Sequence, residues 1–141
     1  MKNARVASIS DHKARSFGIL SVKFLKAPGW PVSIAHEVIY KNGKDNPLGS
    51  HKHTAEFVYV LKGTAKACLG NKTFRVKSGS YLVIPPGVKH RFVTGREPLV
   101  ALSVFCPAMD WNNLDAVMHR SSGSKKRRPF GRSKRLPVEG L

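Results

Sequence analysis

The chain has 141 residues, 41% of them hydrophobic, with 25 Lys or Arg against 8 Asp or Glu and a formal charge of +17. That length and apolar content suit one domain with one core and exclude a chain too polar to fold. No apolar run reaches about 18 residues and the N-terminus lacks the apolar stretch of a secretory signal, which excludes a membrane span and reads as a soluble, cytoplasmic protein.

The charge is uneven. Residues 116–141 hold eight Lys or Arg and one acid, a balance of +7, which leaves +10 on the rest. Such an excess favours acidic partners such as nucleic acid, anionic lipid or an anionic metabolite, or serves solubility alone. Cys68 and Cys106 show no CxxC spacing and lie in apolar, strand-like stretches. They read as small buried hydrophobes rather than as a disulfide.

Residues 1–16 read as a basic N-terminal arm with Ser8, Ser10 and Asp11 as its single acid, a composition shared with organelle transit peptides. From residue 17 onward short apolar runs alternate with Gly, Pro and Asn, which predicts an all-β domain. Over 32–40, Val32, Ile34, His36, Val38 and Tyr40 recur at a spacing of two and predict a half-buried strand with that set inward. His36 would then face the interior, either as a partner of a nearby ligand or as a hydrogen-bonded core residue.

Further strands are predicted at 19–25, 56–61, 64–69, 73–76, 81–84, 91–94 and 99–106 from their β-branched and aromatic content, with Gly70-Asn71 as a tight hairpin turn. Tyr59, Phe92 and Phe105 on these strands read as ordinary packing or as the lining of a pocket. After Pro107, residues 109–118 predict a short helix capped by Asp110 or Asn112 and closing one end of the fold. The stretch 120–135 reads RSSGSKKRRPFGRSKR, with eight basic residues, no acid and Phe130 as its one large apolar group. It predicts a disordered basic tail over 120–141. Its KKRR run would attract phosphates or serve as a nuclear address, or is simply a solvated tail.

Two runs carry chemistry. Gly49-Ser50-His51-Lys52-His53 sets two imidazoles two residues apart, which on a strand points both to one face, where they can share a metal. Glu56 follows, opening EFVYVLKG, a strand that ends in the turn glycine Gly63. Farther on, GSYLVIPPGVKH places Gly79, Pro85, Gly87 and His90 around a stiff turn that fixes where His90 points.

Together these runs resemble the two signature motifs of the cupin superfamily, G-x5-H-x-H-x(3,4)-E-x6-G and G-x5-P-x-G-x2-H-x3-N, over roughly residues 17–107. The resemblance implies a small single-domain metal-binding cupin: a single antiparallel β-barrel of jelly-roll type over 17–107, with a short helix at 108–119. It implies His51, His53, Glu56 and His90 as ligands of one divalent ion, iron, manganese, nickel or zinc. Three departures stand out. Only Thr54 and Ala55 separate His53 from Glu56, which on a regular strand would turn Glu56 outward unless a bulge or bend at Thr54-Ala55 restores it. Thr94 stands where the second motif ends in Asn, and no glycine lies at the usual distance before His51. The alternative is a cupin without metal whose histidines are hydrogen-bonded core residues.

Three imidazoles and one carboxylate around a divalent cation leave a charge of about +1 and, in an octahedron, about two open positions, a catalytic arrangement. With iron(II) this suits dioxygenase-like chemistry on a small anionic metabolite; with manganese or zinc, isomerase or decarboxylase work. A non-catalytic small-molecule sensor is the second reading. The third is a dimeric scaffold that presents the basic tail to nucleic acid. A homodimer is expected, pairing through the sheet edge at 16–25.

Overall fold

Period-two alternation governs the longer segments that build the core of the computed structural model, which describes residues 3–40 and 48–119. After a 3₁₀ turn at Ile9–Asp11 the chain forms eleven strands among the described residues: β1 Arg15–Phe17, β2 Leu20–Leu25, β3 Ser33–Ile39, β4 Leu48–His51, β5 Ala55–Lys62, β6 Thr64–Leu69, β7 Lys72–Lys77, β8 Tyr81–Ile84, β9 His90–Thr94, β10 Leu99–Cys106 and β11 Ala116–His119. They make two sheets, of order β1-β2-β3-β10-β5-β8 and β11-β4-β9-β6-β7. Every ladder is antiparallel. The expected closed barrel is thus two facing sheets of jelly-roll type, with no ladder joining one sheet to the other among the described residues.

The core lies between the sheets. Leu20, Val22, Ala35, Val58, Val60, Ile84, Leu99 and Phe105 face inward from the first sheet, and Ala65, Ala67, Val76 and Phe92 from the second. Each large apolar side chain so buried contributes about 1.5–3 kcal/mol. Two glycines make the connections. Gly70 (φ +62°) opens the two-residue turn between β6 and β7, where Leu69 pairs with Lys72. Gly63 (φ +91°) turns β5 into β6 so close to Pro98 that an added Cβ would lie 2.3 Å from the Pro98 carbonyl oxygen.

Several expectations are corrected. On β3 the buried residues are Ser33, Ala35, Glu37 and Ile39, while Ile34, His36 and Val38 are half-buried on the other face. The alternation is real but its phase is inverted, because apolar residues occupy both faces of this strand and alternation alone does not say which face is buried. Tyr59 points outward, 40% exposed, whereas Phe92 and Phe105 are buried. The helix expected at 109–118 is replaced by an isolated bridge between Asp110 and Asn113 and by β11, which pairs with β4. Open hydrogen-bonding positions on β4 outweigh the weak helical pattern there. Cys106 is exposed and Cys68 half-buried; both are free thiols. The strands run from Arg15 to His119, beyond 17–107 at both ends, and the basic tail expected at 120–141 lies outside the described residues.

Candidate metal centre

Local geometry at each of three strand ends brings His51, Glu56 and His90 together. His51 ends β4 and His90 opens β9, the neighbouring strand, where Gly49 pairs with His90. Glu56 is the second residue of β5 in the opposite sheet. The shortened spacing after His53 is accommodated by a bend at Lys52-His53: β4 stops at His51, and β5 resumes at Ala55 with Glu56, Val58 and Val60 buried and Phe57 and Tyr59 exposed. The bend, two residues earlier than Thr54-Ala55, returns Glu56 to the interior. The Pro85-Pro86-Gly87 turn docks on the same point, the Gly87 N–H donating to the His51 carbonyl at 2.8 Å, and so positions His90.

The three residues are almost fully buried, at 3%, 1% and 1% exposure for His51, Glu56 and His90. His51 Nε2 lies 3.5 Å and His90 Nε2 3.4 Å from Glu56 Oε1. The rings face each other with centroids 5.6 Å apart. Both are pinned through Nδ1. His90 Nδ1 is 3.0 Å from the Val88 carbonyl, which can only accept, so this nitrogen carries a proton. His51 Nδ1 is 3.2 Å from Asp115 Oδ1, an acceptor when ionised. Nε2 of His90 is therefore a lone pair whenever the ring is neutral, and it meets a carboxylate oxygen that is also an acceptor.

Separations of 3.4–3.5 Å exceed the usual hydrogen-bond range, about 2.7–3.2 Å. Both Glu56 oxygens and His90 Nε2 are buried without a hydrogen-bond partner. Acceptors converging without donors repel unless a cation lies between them. Ligand atoms about 2.0–2.2 Å from one ion sit at about these mutual separations. His51, Glu56 and His90, with ligand atoms all within 4.8 Å of one another, could hold a metal ion. His53, expected beside them, is exposed on the bend and outside this group; its backbone N–H donates to Asp115 Oδ2 at 2.8 Å.

The same convergence shapes the titration. Burial disfavours a charged His51, but the Glu56 and Asp115 carboxylates outweigh it and hold the imidazole above its ordinary value. Burial pushes Glu56 up, and the two imidazoles outweigh it and bring the carboxyl below the usual range.

Two further acids belong to the site and carry no motif. Asp115 lies eight residues beyond Pro107, within the stretch whose sequence predicts a helix. Glu37 sits on the inner face of β3, although the alternation in the sequence predicts that face to be the outer one. It is 3% exposed, accepts a 2.8 Å hydrogen bond from Ser103 Oγ through Oε1, and has no partner for Oε2. Burial, reinforced by the charge of Glu56 and only partly offset by Ser103, pushes its carboxyl well above the usual range. The inner face of β3 offers it as a second buried carboxyl. His36, on the outer face, is held below its ordinary value by burial and by Lys23.

A family model described as Cupin domain matches residues 36–105, the stretch that carries all three clustered residues. This chain belongs to the cupin superfamily. No curated protein matches it in sequence. Among solved structures the cupin is similar in fold to Streptomyces Pac13, a nucleoside dehydratase solved with uridine, at TM-score 0.69 and 10% identity over 84% of this chain and 92% of that one. It is similar to ectoine synthase from P. lautus at TM-score 0.66 and 16% identity, covering 90% and 100% of the two chains. It is also similar to KdgF from Halomonas sp. at TM-score 0.65 and 16% identity, covering 77% and 97%.

Proposed function

We propose that this cupin holds one divalent metal ion on His51 Nε2, Glu56 Oε1 and His90 Nε2 and uses it to bind and transform a small anionic metabolite. The observation that carries the reading is the convergence of three buried acceptor atoms, with both Glu56 oxygens and His90 Nε2 lacking any hydrogen-bond donor. Two imidazoles and a carboxylate are the donor set of non-haem iron(II) oxygenases, and manganese, nickel and zinc also accept it. Such an ion supplies Lewis acidity and open coordination positions.

The chain's own residues do the rest. His90 is oriented by Val88 and His51 by Asp115, so each ring offers its Nε2 inward. One carboxylate against a divalent charge leaves the site about +1, which favours an anionic ligand. Exposed Lys52 and Lys89, adjacent in sequence to His51 and His90, add to that field. Glu37 supplies a buried polar group with one oxygen still without a partner. The nucleoside dehydratase and ectoine synthase that share the fold act on small molecules, which supports small-molecule chemistry without choosing the reaction.

The test is elemental analysis of protein purified without a histidine tag, beside a folded His51→Ala, His90→Ala double variant. Iron, manganese, nickel or zinc near one equivalent in the wild type, lost in the variant, is the expected result. Wild-type protein that takes up none of the four after reconstitution overturns the reading and leaves a metal-free binding module.

A further inference from the structure

Asp115 engages four consecutive residues of the chain at once. Its Oδ1 faces His51 Nδ1 at 3.2 Å, its backbone carbonyl accepts from the Lys52 N–H at 3.1 Å, and its Oδ2 accepts from the His53 N–H at 2.8 Å and from Thr54 Oγ1 at 2.9 Å. These residues, 51–54, are the bend that compensates for the short spacing between His53 and Glu56. A tight bend leaves backbone N–H groups outside any sheet ladder, and a buried or half-buried donor without a partner is costly. Asp115 supplies the acceptors, and its side chain is only 17% exposed.

The segment that delivers Asp115 is itself anchored. It crosses from β10 to β11, Ser33 Oγ accepts from the Met109 N–H at 2.6 Å, and Leu114 and Ala116 on either side of Asp115 are buried. Ala116 then pairs with His51 itself. The carboxylate therefore stands on a fixed support, as a residue that orients a ligand must.

We infer that Asp115 is a positioning residue of the metal centre: it clamps the bend at 51–54, fixing the His51 ring with Nε2 inward and setting the entry of β5 that aims Glu56. The inference rests on the metal reading above. It makes the stretch after Pro107 part of the site, although the family match ends at residue 105. A carboxylate on the far nitrogen of a ligating imidazole fixes its tautomer and raises its basicity, and loss of such partners typically weakens metal binding about 10–100-fold.

The experiment titrates zinc calorimetrically into metal-free full-length wild type, Asp115→Asn, Asp115→Ala and Ser33→Ala, each shown folded by circular dichroism. Visible spectra at saturating cobalt(II) accompany it. Ser33→Ala loosens the same segment at Met109 without touching the bend. Expected are one site in the wild type, zinc affinity about 10–100-fold weaker in both Asp115 variants, and less than about a 3-fold change in Ser33→Ala. The cobalt ligand-field bands should shift in Asp115→Asn and stay in place in Ser33→Ala, since only the former alters ligand orientation. If Asp115→Ala does not fold, the isosteric Asp115→Asn carries the test. Wild-type affinity and an unshifted spectrum in Asp115→Asn overturn the inference and leave the metal reading standing. Equal losses in Ser33→Ala and Asp115→Asn also overturn it, because Asp115 would then act only by docking the segment. A wild type that binds neither ion overturns the metal reading and this inference together.

Discussion

Glu37 is the residue whose charge the interior can least accommodate. Burial and the neighbouring Glu56 carboxylate raise its folded-state value well above the unfolded one. The folded chain therefore keeps a proton that the unfolded chain gives up, and stability falls as pH rises through that interval. The loss is up to about 1.4 kcal/mol per pH unit while the two states differ by one proton. His51, also raised, acts in the same direction, and Glu56, lowered, acts only in acid. Metal-free Glu37→Gln keeps the side-chain shape but cannot ionise, so its stability should decline less than wild type between pH 5 and pH 8 in urea unfolding. Parallel curves would mean that Glu37 is ionised in the fold. At this scale the sequence is informative where a motif speaks: the two motif runs point to His51, Glu56 and His90. It is silent on Glu37 and Asp115, since an acid on a strand reads as solvent-facing and one in a weak helical pattern reads as surface. It places His53 beside His51, Glu56 and His90, whereas the bend between β4 and β5, which counting residues on a regular strand does not anticipate, leaves it exposed outside the cluster.

Among the elements, the turns are where sequence and backbone agree most tightly. Gly63 and Gly70 both have positive φ, but only Gly63 is crowded: a Cβ added there would lie 2.3 Å from the Pro98 carbonyl oxygen, whereas one added at Gly70 would meet open space. Gly70→Ala should lose only the conformational term, about 1–2 kcal/mol. Gly63→Ala adds displacement of the 98–99 backbone, together about 2–5 kcal/mol. Chemical denaturation of the two variants checks the ordering, and equal losses would show that the β5–β6 turn relaxes freely. All eight predicted strands survive within a residue at each end, because Gly, Pro and Asn interrupt the apolar runs where the chain must turn. What the pattern could not give was phase. On β3, Ile34 and Val38 are as apolar as Ala35 and Ile39, and which set is buried depends on what stands opposite. Nor could local pattern show β11, whose strand conformation comes from pairing with β4 more than sixty residues away in sequence.

At the scale of the whole molecule the three clustered residues join two separate sheets, His51 and His90 from one and Glu56 from the other. No hydrogen-bonded ladder crosses between those sheets among the described residues, so an ion held by all three would be a cross-link where no ladder joins them. An ion that binds the folded chain alone stabilises it by mass action, about 2.7 kcal/mol when free metal is 100 times its Kd. For a chain of this size that corresponds to a rise in Tm of roughly 10 °C. The gain should shrink in acid, because protons compete for the same atoms and His51 holds its proton above the ordinary imidazole value. Differential scanning calorimetry of chelator-treated protein, with and without added zinc or manganese at pH 7.5 and pH 5.5, should therefore show a large upward shift at the higher pH and a small one at the lower. The His51→Ala, His90→Ala variant should show neither. A shift of equal size in that variant would mean that metal stabilises the chain from elsewhere, and that the two sheets are held together without it.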